Sequence, residues 1–214
     1  MSFWVEWMAV VSIMLLGAAS PGPDFVVAVR NSVVHSRRAG IFTALGFASG
    51  VAVHMLYCIL GIAALIAQSV WLFNILKYAG AAYLVYIGVK ALQSKGYDSM
   101  VVLGETEKNP DVHTYSAYKA WLDGFLTNLL NPKATMFFLA LFTQFISPDT
   151  PLWVLVLYGM SACAVTITWF STVAIVLNQR HIRRKFLSMA VWVDRICGIF
   201  MIGLGIKLAI TKMV

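Results

Sequence analysis

Between Arg38 and Lys77 the chain runs for 38 residues without a single Asp, Glu, Lys or Arg. Hydrocarbon about 30 Å thick takes roughly 20 apolar residues in helix, so this run is too long for one crossing. It must turn back, and Gln68–Ser69 is where the turn is expected. A second uncharged run, from Asp149 to Arg180, holds one further crossing. Composition agrees: 60% of the residues are hydrophobic, 12% are charged and the mean hydropathy is +0.81. A soluble domain needs about 25% charged residues to cover its surface, and lipid is the solvent that suits this chain.

Six spans are expected, near 4–27, 41–66, 70–92, 122–146, 151–178 and 188–211. The expected fold is an all-α polytopic membrane protein, a single domain over 1–214. No Lys or Arg precedes Arg30, so the basic start of a cleavable signal peptide is missing and span one is expected to be retained. Pro148 and Pro151 stop the helices in the short turn between spans four and five.

Read by loop, the basic residues report orientation. Arg30, Arg37, Arg38, Lys90, Lys95, Lys108, Lys119, Arg180, Arg183, Arg184, Lys185 and Arg195 fall on one side, twelve of the 16 Lys and Arg. The positive-inside rule assigns that side to the cytoplasm and both termini to the outer, periplasmic face. Lys77, Lys207 and Lys212 lie on the opposite side, where the last two must snorkel. The net charge of +7 is therefore a topology signal, and no nucleic-acid partner is expected.

A polar stretch over about 94–117 divides the spans three and three, into halves of about 1–93 and 118–214, and reads as a flexible cytoplasmic linker. The halves resemble each other. Pro21 in Ser20-Pro21-Gly22-Pro23-Asp24 corresponds to Pro132 in Asn131-Pro132-Lys133-Ala134, and Ile87-Gly88-Val89-Lys90 corresponds to Leu204-Gly205-Ile206-Lys207. Three spans per half force opposite orientations, so the six helices read as two inverted repeats with helices one and four broken, as in secondary transporters.

Proline removes a backbone donor and its ring clashes with the preceding turn. In hydrocarbon each freed backbone group costs several kcal/mol unless protein or water satisfies it. Two breaks at equivalent points therefore imply a shared polar interior, unless they are kinks that serve packing alone. Half-helix ends offer amides to a carboxylate and carbonyls to an ammonium, the two charges of an amino acid. Asp24 follows the first break and Lys133 the second, and they are expected to pair across the repeat axis, as pathway groups or as a structural ion pair. Asp24 is the candidate proton carrier. The candidate pathway residues are Ser20, Pro21, Gly22, Pro23, Asp24, Asn128, Asn131, Pro132, Lys133 and His54.

Other positions carry weaker signals. Asn128 and Asn131 share a helix face and either bind a ligand or cap the broken helix. His54 reads as a hydrogen-bonded interior histidine or a proton shuttle. Gly46 and Gly50 form a close-approach face on span two, through which a homodimer is expected. Asp194 is expected to pair with adjoining Arg195, Asp123 to be a helix-end or interface group at the entry of span four, and Tyr78, Tyr83 and Tyr86 to be packing and interfacial anchors. Cys58, Cys163 and Cys197 lack metal-site spacing, and neither a metal nor a cofactor is expected.

At Ser20-Pro21-Gly22-Pro23-Asp24 and Asn128-Leu129-Leu130-Asn131-Pro132-Lys133-Ala134 the chain resembles the LysE/RhtB amino-acid exporter family. The likeness extends to Arg37-Arg38-Ala39-Gly40 and Tyr83-Leu84-Val85-Tyr86-Ile87-Gly88. It implies export of amino acids or close derivatives across a bacterial inner membrane by proton antiport, closest to the threonine and homoserine branch. The alternative is a metal-cation exporter of a similar three-plus-three fold. Such a site wants several carboxylates, whereas Asp24 is the one deep in a span, with a lysine near its repeat position. No HExxH or GxSxG motif suggests an enzyme.

Overall fold

The computed structural model describes residues 3–20, 22–68, 70–94, 115–145, 150–177 and 179–210. Every regular element among them is a helix: α1 (Phe3–Ala19), α2 (Pro23–Arg30), a π-helical turn (Asn31–His35), α3 (Arg37–Gln68), α4 (Val70–Leu92), α5 (Ala117–Leu129), α6 (Pro132–Phe145), α7 (Leu152–Val176) and α8 (Arg180–Ile210). Four of these, α3, α4, α7 and α8, contain stretches long and apolar enough to cross a membrane unbroken. The pairs α1 with α2 and its π-helical turn, and α5 with α6, each qualify as one span bent at a break, by 64° and 58°. Counting each bent pair once gives six spans in a polytopic membrane protein. α3 ends at Gln68 and α4 begins at Val70, while Ser69 of the expected turn and most of the expected linker, 95–114, lie outside the described residues.

The first span ends later than expected, at His35 rather than near residue 27. Arg30 hides the continuation, because it is exposed while Ala28, Val29, Asn31 and Ser32 around it are buried. Asn31 donates from Nδ2 to Thr43 Oγ1 at 3.0 Å and so ties this extension to α3.

The apolar core is split in two along the first span. One cluster gathers Val10, Ile13 and Met14 of α1 with Phe138 and Leu141 of α6 and Tyr158 of α7. The other gathers Phe25, Ala28 and Val29 of α2 with Phe47 of α3 and Phe170 and Val173 of α7. The break at 20–24 lies between the two clusters.

Glycines set the closest helix contacts. A β-carbon on Gly46 would stand 2.1 Å from the Trp121 carbonyl oxygen, and one on Gly124 would stand 2.2 Å from that of Thr43. No side chain fits there, so α3 and α5 touch backbone to backbone. The Gly46 and Gly50 face is consequently spent inside the chain against α5, which overturns its expected use as a dimer surface. A second such contact joins α4 to α8. Gly88 meets Gly198 and Ile202, and Gly205 meets Ala81 and Val85. One offset of 117 residues carries Ala81, Val85 and Gly88 onto Gly198, Ile202 and Gly205, so the two sets of contacts are reciprocal.

Candidate functional site at the two helix breaks

At the first break α1 ends with the Ser20 amide bonded to the Leu16 carbonyl at 2.9 Å. Gly22 then takes extended backbone and α2 starts at Pro23, where proline's missing donor costs nothing in a first helical turn. Asp24 follows in that first turn, its carboxylate at the positive end of the helix. Pro21 lies outside the described residues. The second break is built alike. Asn131 caps α6 by accepting the Lys133 amide on Oδ1 at 3.0 Å, with Pro132 at the first helical position.

Each charge then docks on the opposite motif. The Asp24 carboxylate accepts from Asn128 Nδ2 at 2.7 Å and from Asn131 Nδ2 at 3.0 Å. The Lys133 ammonium donates to the Ser20 carbonyl at 2.7 Å and to Ser20 Oγ at 2.8 Å. The lysine thereby satisfies a carbonyl that the end of α1 leaves unpaired, a cation at the negative end of a helix. Asp24 and Lys133 also act on each other through space. The expected meeting of the two motifs is present, and its contacts are crossed: carboxylate to amides, ammonium to carbonyl and hydroxyl.

His54 secures the end of α5. Its Nε2 lies 3.0 Å from the Asn128 carbonyl oxygen and its Nδ1 lies 2.5 Å from the Tyr57 hydroxyl. A carbonyl can only accept, so Nε2 carries the hydrogen. His54 is buried, stacked on Phe138, and is the hydrogen-bonded interior histidine that was one of its two readings. Tyr57 was missed, although its i, i+3 spacing from His54 places it on the same helix face.

Glycine again governs the approach. A β-carbon on Gly50 would stand 2.6 Å from Asn128 Oδ1, so only glycine lets that amide lie against α3. A β-carbon on Gly22 would meet the Lys133 ammonium at 3.4 Å. The cavity that Asp24, Asn128, Asn131, Lys133, Phe137 and Thr166 help to line measures about 50 Å³. That admits water but falls far below the roughly 300 Å³ at which small-molecule pockets begin.

Two expectations are revised. Asp194 does not pair with Arg195: it is 3% exposed and accepts from the Ser94 hydroxyl, while the Arg195 guanidinium lies 5.7 Å from the centre of the Trp192 ring. Neighbouring residues of a helix do not face each other, which is why adjacency misleads. Asp123 sits two turns into α5 and accepts from the Tyr115 hydroxyl, whose ring stacks on His35 at 3.7 Å. Burial and the Asp123 carboxylate push the Tyr115 hydroxyl up to about 12, so it holds its proton as the donor.

Residues 15–212 match the LysE type translocator family. The chain is 29% identical to the threonine efflux protein of Escherichia coli (strain K12) over 211 residues, 96% of this chain and 98% of that one. It is 30% identical to the homoserine/homoserine lactone efflux protein of Salmonella typhimurium over 145 residues, 68% of this chain and 66% of that one. An uncharacterized membrane protein of Bacillus subtilis, YrhP, is 29% identical over 202 residues, 94% of this chain and 96% of its own. No solved structure matches the chain.

Proposed function

The chain belongs to the LysE type translocator family, and from that premise we propose that it exports neutral amino acids of the threonine and homoserine kind by proton antiport. It is a transporter and not an enzyme. The observation that carries the reading is the crossed docking of Asp24 and Lys133 on the opposite breaks. One carboxylate and one ammonium, each held by neutral groups that a substrate can replace, match the two charges of a zwitterion. A divalent cation would want several carboxylates around one point, and no group of three or more His, Cys, Asp or Glu able to hold a metal occurs among the described residues.

In this reading the substrate's ammonium takes the place of the Asn128 and Asn131 amides at Asp24, and its carboxylate takes the place of Ser20 at Lys133. The small cavity is then the closed site, which widens as the half-helices part. Asp24 carries the coupled proton. The reciprocal contacts of Gly88 and Gly205 support two inverted repeats within one transporter domain, with the pseudo-twofold axis between α4 and α8. The basic loops support placement in the inner membrane with both termini periplasmic.

The test is efflux from vesicles loaded with a panel of amino acids, with and without a protonophore. Export of threonine or homoserine that collapses with the proton gradient is the expected result. Export of divalent cations with no amino acid moved would overturn the reading.

A further inference from the structure

A second and much larger cavity, of about 450 Å³, opens beside the break site. It shares Ser20, Gly22, Asn131 and Lys133 with that site and extends along Tyr83 and Lys90 of α4, past Ser94 beyond the helix end, to Asp194 of α8. Its size lies inside the range of small-molecule pockets, where the closed site at the breaks does not.

The lining is chemically divided. Asp194 is 3% exposed, and only one of its carboxylate oxygens is used: Oδ2 accepts from Ser94, while Oδ1 has no hydrogen-bond partner among the described residues. A buried carboxylate oxygen without a donor is costly, and a turn of the carboxylate toward the cavity would let a ligand's donor remove the cost. The ammonium groups that line the same cavity are Lys90, 5.6 Å from the centre of the Tyr86 ring, and Lys133, close enough to Asp194 to act on it through space. Tyr83 and Tyr86, with ring centres 6.1 Å apart, form an aromatic wall.

We propose that this cavity is an access subsite on the linker side of the membrane, where Asp194 Oδ1 receives the α-ammonium of an amino acid before it reaches the breaks. The substrate's carboxylate turns toward Lys90 and Lys133. Lys133 thus belongs to both sites and can pass the carboxylate from one to the other. Asp194 is a binding residue here rather than a latch on Ser94. The assignment rests on the amino-acid reading above.

The test is equilibrium binding to the purified full-length protein of two probes, L-threonine and L-homoserine lactone, which keeps the ammonium and lacks the free carboxylate. Asp194→Asn should weaken both by about tenfold, the loss of one charge-assisted hydrogen bond. Lys90→Gln should weaken threonine by about tenfold and leave the lactone within about threefold, because the lactone has no free carboxylate to meet that ammonium; this variant serves if Asp194→Asn does not fold. Unchanged affinities in Asp194→Asn overturn the subsite, and so does a Lys90→Gln variant that binds threonine as the wild type does. A wild type that exports amino acids but binds neither probe overturns it too. A wild type that exports no amino acid overturns the export reading itself, which the same preparation reports separately.

Discussion

Gly50 lies so close to Asn128 that a β-carbon on residue 50 would stand 2.6 Å from the amide oxygen. That oxygen belongs to the amide whose nitrogen holds Asp24 at 2.7 Å, so a glycine on α3 positions a carboxylate on α2 through a side chain of α5. Gly50→Ala should push Asn128 off Asp24. The expected outcome is efflux slowed by about tenfold or more with membrane insertion kept, and a stability loss of about 1–3 kcal/mol from overpacking. Rates in vesicles and thermal unfolding in detergent measure the two effects.

Asp24→Asn keeps the shape of the side chain and removes its charge and its proton. Efflux driven by a proton gradient should be abolished while the protein is still recovered from the membrane in normal amount. Efflux that still follows pH in this variant would remove Asp24 from proton coupling.

Lys133→Met removes the donor to the Ser20 carbonyl and leaves the end of α1 unsatisfied. A buried acceptor without a partner costs about 1–3 kcal/mol, so the melting temperature should fall along with transport. Lys133→Arg should not restore transport, because a planar fork does not fit the space of one ammonium beside Gly22. Wild-type rates in the arginine variant would show that charge alone suffices.

His54 is predicted to matter as a donor. His54→Gln retains an N–H for the Asn128 carbonyl and His54→Phe does not. Glutamine should hold the melting temperature within a few degrees and phenylalanine should lower it clearly, with transport following the same order. Equal loss of transport in both, with stability intact in glutamine, would instead point to a titrating imidazole.

The breaks were legible because proline's effect on a helix is local: Pro23, Pro132 and the capping Asn131 stand where the chain's own chemistry puts them. The partners of the two charges were not. An offset between repeats says that Asp24 and Lys133 lie near each other, but not that each reaches past the other to a neutral group of the opposite break. Glycine is similarly silent about its partner. Gly46 and Gly50 announce a close approach, and nothing in their spacing says whether the approaching helix belongs to the same chain. Asp194 was misread because Arg195 is its neighbour in sequence, while burial and Ser94 decide where its carboxylate lies.

The reciprocal glycines of α4 and α8 have a mechanical meaning. Where two backbones touch with no side chain between them, there are no rotamers to rearrange, and sliding one helix past the other meets hard contact at once. This pair is the stiff axle of the molecule. In the proposed transport cycle the half-helices at the breaks are then the arms that swing, and a cross-link between α4 and α8 placed away from the glycine contacts should leave turnover running.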